Sequence, residues 1–533
     1  MADYLLIGAV VVFACIFFNR ISSRFGIPAL FAFIVLGMLF GSDGIVKIPF
    51  ADYQLAEMIS TAALVEIMFY GGFGTNWRAA RPVAGKAALL SSAGVLVTAG
   101  LTGLFCHFIL GLEWLEGMLL GAVLGSTDAA SVFSILRSKK LNLRYGTASI
   151  LEVESGSNDP FAYMLAVILL SAMRGDLSGW AMARMIVLQV ILGVVFGVLI
   201  GIVAVFVMRR SHCAAPGFDA AYVMAAAAFS YALPAMLGGN GFLSVYITGL
   251  ILGNQRIPNK PGLVHFFDGV TGLMQMLLFF LLGLLSFPSR IPQTLFVAVP
   301  AALFLTFIAR PAAVFILLSP LRCPPRQQAF IAWAGLRGAA SIVFAVMVMG
   351  SGVSLDMDIF HSVFFVVLLS IAFQGALLPW AARKLDMIDD GENVLKTFSD
   401  YAEDTDIQFI QLVITEDHSW NGAAVRDLSL PQDILLAAVL RKQETLVPRG
   451  DTVLEAGDRA VLAAAGFQDE SHIRLYEVEI DKNHPWQGTP IHSLPLDPGE
   501  LVVMIRRGRE IVIPSGNTMI LAGDILVVNR AEE

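Results

Sequence analysis

The sequence predicts an α-helical polytopic membrane protein of about thirteen spans, continued by a small soluble α+β tail. Three observations predict it. Apolar residues make up 56% of the 533 and charged residues only 15%, with a mean hydropathy of +0.72, against roughly 25% charged residues in ordinary globular chains. Long apolar runs recur from Tyr4 to Ala382 and then stop. Cations gather in every second loop between those runs.

The runs fall at 4–18, 28–41, 55–73, 83–110, 114–136, 146–172, 180–208, 218–237, 242–254, 263–285, 292–318, 327–349 and 358–381. Several exceed the ~20 residues that cross a bilayer, and the shorter ones imply tilt or interruption. With the N-terminus outside, the loops after odd-numbered spans hold Arg20 and Arg24, then Arg78, Arg81 and Lys86, then Arg137, Lys139, Lys140 and Arg144. Arg209 and Arg210, Arg256 and Lys260, Arg322 and Arg326, and Arg383 and Lys384 continue the series. The opposite loops hold few cations (Lys47, Arg174, Arg290) and the acids Asp43, Asp52, Glu113, Asp356 and Asp358. Lysine and arginine mark the cytoplasmic side, so an odd number of spans leaves the tail in the cytoplasm.

The net charge of −8 collects largely after Leu385, and nucleic acid is not an expected partner. Cys15, Cys106, Cys213 and Cys323 stand alone, without metal or disulfide spacing. The start Met1–Phe18 carries Asp3 in place of a basic region, unlike a cleavable signal peptide.

We divide the chain into a membrane domain over 1–385, an acidic linker over 386–406, and two modules over 407–466 and 467–533. The tail repeats itself at an offset of 66 residues. His418-x-Trp420-x-Gly422 recurs as His484-x-Trp486-x-Gly488, Pro448-x-Gly450-x-Thr452 as Pro514-x-Gly516-x-Thr518, and Gly457-Asp458 as Gly523-Asp524. Short alternating runs between glycines and prolines predict strands. His418 and His484 lack companions at metal spacing and read as turn residues. No G-x-G-x-x-G follows a strand there, so no dinucleotide-binding half is expected.

The chemistry concentrates in three spans. The fifth carries Gly125-Ser126-Thr127-Asp128-Ala129-Ala130-Ser131, and the sixth carries Glu152-x-Glu154-Ser155-Gly156-Ser157-Asn158-Asp159-Pro160. An acid at bilayer depth costs several kcal/mol, on the order of 2.5–3.5 on the lenient scale, so it is usually functional and partnered. Pro160 removes a backbone donor beside Asp159, and Glu154 and Asn158 share a helical face. The twelfth span carries Gly335-Leu336-Arg337-Gly338-Ala339-Ala340-Ser341, whose Ala-Ala-Ser matches that of the fifth. Paired, glycine-interrupted spans in two halves of a chain point to an inverted-repeat transporter. Arg337 needs an acidic neighbour, and Glu154 is the expected one, forming a structural ion pair that leaves Asp159 free. For Asp128 a helix cap is the plainer alternative to ion coordination. Glu152 has no assigned role.

Thr127-Asp128, the Glu154–Pro160 segment and Gly335-Leu336-Arg337-Gly338 together resemble the monovalent cation:proton antiporter superfamily, in its NhaP-type branch, over roughly residues 1–385. The tail is similar to two TrkA-C (RCK C-terminal) modules, a combination associated with potassium:proton antiporters. The resemblance implies NhaA-like inverted repeats with two broken, crossing helices, a homodimer in the bacterial inner membrane, and no cofactor. Asp159 would bind proton and cation in turn, helped by Asn158. The transported monovalent cation, potassium or sodium, would be ligated by Asp159, Asp128, Thr127 and Ser155. The Asn158-Asp159 pair is similar to the electroneutral branch. Modules of the TrkA-C kind can bind regulatory ligands, some of nucleotide type. The chain departs from the pattern at Phe69-Tyr70-Gly71-Gly72, where relatives often carry an acid in place of the tyrosine; Glu66, one turn earlier, is an accessory candidate.

Other classes fit less well. A gated potassium channel needs a filter such as Thr-Val-Gly-Tyr-Gly, and an intramembrane hydrolase needs a motif such as G-x-S-x-G or H-E-x-x-H; the sequence holds neither.

Overall fold

The computed structural model describes residues 8–18, 29–139, 141, 143–175, 179–210, 218–255, 257–388, 407–416, 418–428, 430–431, 434–441, 444–465, 474–481, 484–496, 500–507, 510–512 and 514–530. The expected linker at 386–406 lies mostly outside these residues. The chain forms two units, Met1–Glu392 and Asn393–Glu533.

Among the described residues the first unit is built of α-helices, with a four-residue turn of helix at Trp77–Ala80 besides the main ones. Its helices are α1 (Gly8–Phe18), α2 (Ala29–Phe40), α3 (Tyr53–Gly74), α4 (Ala84–Phe108), α5 (Trp114–Val123), α6 (Ala129–Ser138), α7 (Thr147–Met173) and α8 (Gly179–Arg210). There follow α9 (Phe218–Met236), α10 (Gly241–Gly253), α11 (Lys260–Leu285), α12 (Pro292–Leu318), α13 (Pro325–Trp333), α14 (Ala339–Gly350) and α15 (Ile359–Lys384). Among the described residues, six helices are long and apolar enough to cross a membrane, namely α3, α4, α8, α11, α12 and α15. That is fewer than the thirteen runs expected, because α7, though 27 residues long, carries the polar segment Glu152–Asp159, and for two further physical reasons. The fifth and twelfth runs are each divided in the middle, into α5 and α6 and into α13 and α14. Several others, such as α2 and α10, are short.

Close backbone approach holds the helices together. Gly72 of α3 and Gly249 of α10 face each other's chain so tightly that a Cβ on either would collide with the carbonyl of Tyr246 or Phe69. In lipid, where burial of apolar surface drives little, such small-residue contacts let van der Waals packing bind helix to helix.

Among the described residues three helices contain a π turn, at Leu90–Gly94 in α4, Leu305–Ala309 in α12 and Ser370–Gly375 in α15. Single π turns inside α-helices gather at functional sites because they re-aim side chains. All three lie close to a divided run. Val95, just after the first, packs on Gly125; Arg310 follows the second; and Ser370 begins the third and binds Arg337. Where the chain leaves the last helix, Asp386 receives Arg144 and Arg326, each at 3.0 Å.

Among the described residues the second unit contains two four-stranded antiparallel sheets. Strands β1 (Ile407–Val413), β2 (Ile434–Arg441), β3 (Glu444–Leu446) and β4 (Arg459–Ala465) pair in the order β1-β4-β2-β3. Strands β5 (Arg474–Glu479), β6 (Glu500–Arg507), β7 (Glu510–Val512) and β8 (Asp524–Arg530) repeat that order as β5-β8-β6-β7. The irregularity between Leu436 and Ala438 recurs between Val502 and Met504. The Arg441–Asp458 pair at 2.7 Å recurs as Arg507–Asp524 at 2.8 Å. Among the described residues each module holds strands and one 3₁₀ turn, with no α-helix, so the helical part of the expected α+β module is not found there. His418 and His484 accept from the backbone N–H of Trp420 and Trp486 through Nδ1, the turn role expected of them.

Candidate functional site

The two divided runs meet. Between α5 and α6 the chain is non-helical from Ser126 to Asp128, and between α13 and α14 from Gly335 to Gly338. Such breaks free backbone groups that lipid cannot satisfy, and here the breaks satisfy each other. The Asp128 N–H donates to the Leu336 carbonyl at 2.8 Å, and Arg337 Nη1 donates to the Ser126 carbonyl at 2.8 Å. The crossing is so close that a Cβ on Gly338 would collide with the Asp128 side chain. Arg337 is itself held by its backbone N–H, which donates to Ser370 Oγ at 3.1 Å, and Ser370 donates on to Gln374.

Asp128 closes the start of α6. Its Oδ1 accepts from the Ser131 N–H at 3.2 Å, and its Oδ2 from Ser131 Oγ at 2.6 Å. A carboxylate there satisfies a donor that the helix leaves unpaired and complements the positive end of the helix dipole.

Helix α7 brings the remaining groups. Ser155 Oγ donates to the Thr127 carbonyl at 2.8 Å and accepts from the Ala129 N–H at 2.9 Å, tying α7 to both sides of the first break. Asn158 is fully buried, and its Nδ2 donates to Thr127 Oγ1 at 2.5 Å. Asp159 accepts a hydrogen bond from Ser126 Oγ and is half-buried. Pro160, in mid-helix, leaves its carbonyl to accept from Asn240 Nδ2 at 2.8 Å, which fixes the helix at the turn that holds the acid. Asp159, Asn158, Ser155, Thr127 and Asp128 therefore lie around one crossing. Ser126 joins them. It stands beside Thr127 in the same polar segment, but only its contact with Asp159 distinguishes it from its neighbours.

This donor set consists of carbonyl, hydroxyl and carboxylate oxygens. Among the described residues no three acidic, histidine or cysteine side chains converge to hold a metal ion. One or two carboxylates amid neutral oxygens suit a hard cation of low charge, held by few strong ligands and easily released.

Glu154 corrects the expected pairing. Its partner is Arg310, with Nη2 2.5 Å from Oε1 and the two side chains 3% and 1% exposed. Arg337 feels the charges of both Arg310 and Glu154, yet its guanidinium is directed at the Ser126 carbonyl. The π turn that ends at Ala309 sets Arg310 toward α7. The sequence carries a signal for this residue, since Arg310 is a cation inside an otherwise apolar run of α12.

Glu66, on α3, has one buried carboxylate oxygen without a hydrogen-bond partner among the described residues. No hydrogen bond or ion pair among them joins it to the Asp159 group. At the tyrosine that departs from the family pattern, Tyr70 Oη donates to Asp268 Oδ1 of α11 at 2.6 Å. An acid thus stands beside this position after all, supplied by another helix.

Comparison with known proteins finds relatives of both units. The profile of the transmembrane sodium/hydrogen exchanger family matches residues 9–384, and that of the TrkA-C domain matches 409–465 and 475–529. The chain is 35% identical to a K(+)/H(+) antiporter NhaP of Alkalimonas amylolytica over 446 residues, covering 83% of this chain and 78% of that protein. It is also 35% identical to a K(+)/H(+) antiporter NhaP2 of Shewanella sp. (strain MR-4) over 462 residues, covering 86% and 80%. The solved structure of the sodium proton antiporter MjNhaP1 of Methanocaldococcus jannaschii superposes with a TM-score of 0.64 at 21% identity, covering 72% of this chain and 99% of that one.

Proposed function

The chain belongs to the sodium/hydrogen exchanger family and is a cation:proton antiporter; on that premise we propose that it exchanges potassium for protons, one for one, at Asp159. The observation that carries this reading is the carboxylate of Asp159, hydrogen-bonded by Ser126 at the crossing of two interrupted helices. In a cavity of low dielectric constant, a lone carboxylate crosses only when neutralised. A proton neutralises it in one direction and a monovalent cation in the other, so a single group couples the fluxes without net charge movement. Thr127, Ser155 and Asn158 supply or orient the neutral oxygens, and Asp128 lends its charge from the start of α6. Arg337 and the Glu154–Arg310 pair fix the breaks and stay put.

Potassium is favoured over sodium by the relatives named K(+)/H(+) antiporter and by the tandem tail. Sodium is the alternative, since MjNhaP1 is named a sodium proton antiporter and the same oxygens serve both ions. With α5–α6 and α13–α14 each taken as one interrupted crossing, we read the first unit as about thirteen spans, N-terminus outside and tail cytoplasmic, in a homodimer of the bacterial inner membrane. The tail regulates exchange by binding a small ligand.

The test is dequenching of a pH dye in proteoliposomes with potassium, sodium, lithium and rubidium compared side by side. Potassium should give the lowest half-saturating concentration. A clear preference for sodium would replace potassium in this reading, and no exchange with any of the four would end it. Repeating the series with the tail deleted reports whether the tail restrains or activates.

A further inference from the structure

The face of α7 that bears Asp159 continues toward the end of the helix through Tyr163, Val167, Leu170, Ser171 and Arg174, at spacings of three and four residues. From Val167 onward this stripe opens into a cavity of about 240 Å³. Its other walls are Glu57 of α3 and Met347, Gly350 and Ser351 at and just beyond the end of α14. Here α3 begins and α7 and α14 end, at loops of the cation-poor side, the side read above as external.

Glu57 is half-buried and has no hydrogen-bond or ion-pair partner among the described residues. Gly350 makes room for it, since a Cβ there would collide with its Oε2. Among the described residues that line the cavity the one cation is Arg174, which donates from Nη2 to the Ser351 carbonyl at 2.7 Å and stays exposed at the rim. Between the cavity and Asp159 stands Tyr163, set edge-on against Phe242 and tilted against Phe344. Tyr163 and Tyr231 both lie within electrostatic reach of Glu57. A carboxylate without a counter-ion thus sits in a pocket directly above the Asp159 face.

We infer that Glu57 forms an external binding site for the transported monovalent cation, from which the ion passes Tyr163 to reach Asp159. Arg174 is engaged by the Ser351 carbonyl at the rim, so inside the cavity the carboxylate acts across walls of low dielectric constant, which strengthens its field and raises the local concentration of counter-ions. Such a site gathers cations at one face only. It acts before the exchanging step, so its removal weakens capture from outside and leaves the maximal rate alone. The inference rests on the exchanger reading for the identity and route of the ion.

The experiment uses the full chain in oriented vesicles and follows two readouts. The first is exchange kinetics with potassium offered at either face. Glu57→Gln should raise the external KM roughly tenfold while the internal KM and the maximal rate stay unchanged, and Glu57→Asp should restore most of the affinity. The second is modification of Ser171→Cys, in a cysteine-free background, by a membrane-impermeant thiol reagent. Labelling should proceed from outside only, and potassium should slow it when Glu57 is present but not in Glu57→Gln. Equal kinetic effects on both faces, labelling from the inner face, or protection that ignores Glu57 would each overturn the inference. The labelling arm needs no turnover. Protection through Glu57 in a chain that exchanges nothing would sink the exchanger reading and keep the cation site.

Discussion

Arg310 Nη2 lies 2.5 Å from Glu154 Oε1, deep between α12 and α7 and one turn from Asn158. The contact joins opposite charges without hydrogen-bond alignment, so its worth lies in neutralising two charges that no water reaches. Removing one partner of such a pair strands the other, at a cost of roughly 3–5 kcal/mol. Arg310→Ala and Glu154→Ala should therefore each lower thermal stability in detergent markedly. Glu154→Gln combined with Arg310→Met should recover much of the loss. A double variant no more stable than the singles would contradict the pairing.

Ser126 should behave as a residue of the site. Ser126→Ala removes the hydroxyl that Asp159 accepts from and is expected to weaken apparent cation affinity several-fold with little change in protein yield, whereas Ser126→Thr should keep most of it. Transport kinetics in proteoliposomes decide this. Unchanged affinity in the alanine variant would remove Ser126 from the ion's surroundings.

The crossing of the two breaks depends on an absent side chain. Gly338→Ala forces the new methyl against Asp128, and overpacking of this kind costs about 1–3 kcal/mol. It should disturb the start of α6 and lower the maximal rate at least tenfold, while Gly269→Ala, which meets nothing within 4 Å, serves as a neutral control. Thermal unfolding and exchange rate measured on the same preparations test the pair.

The tail carries its own pH dependence. Hydrogen bonds from Arg441 hold the Asp458 carboxyl below the usual carboxylate range, and Arg507 does the same for Asp524. A depressed value in the folded state means that the stabilisation is complete above the unfolded value, about 3.9, and fades as pH falls through the folded one. Both modules should therefore hold at neutral pH and loosen only in strong acid. Asp458→Asn should cost about 2–3 kcal/mol and raise amide exchange in β2 and β4 at neutral pH. Exchange in β6 and β8 should stay as it was, because the second pair remains intact.

Much of this is legible in the sequence, for a reason particular to membranes. Charged and hydroxyl residues are costly in an apolar run, so Thr127, Asp128, Asn158, Asp159 and Arg337 stand out from their background. Glycine beside a polar cluster marks a helix that breaks, and the breaks at 126–128 and 335–338 lie where those clusters do. Pairings between distant helices were not legible. Whether Glu154 meets Arg310 or Arg337 depends on how three helices rotate against one another and on a π turn that no spacing announces. The same holds for Tyr70 and Asp268, almost two hundred positions apart, where local sequence records a missing acid and only the fold supplies one. In the tail, the 66-residue repeat announced two like sheets, but their strand order follows from pairing and not from pattern.

Asp159→Asn is the most direct measurement of the central claim. The amide keeps the size of the carboxylate and can still bond to Ser126, but it can neither hold a proton for transport nor balance a cation. Reconstituted and shown to be folded by its melting temperature, the variant should exchange neither potassium nor sodium for protons at any pH. Cation-driven proton movement persisting in those vesicles near the wild-type rate would contradict the account.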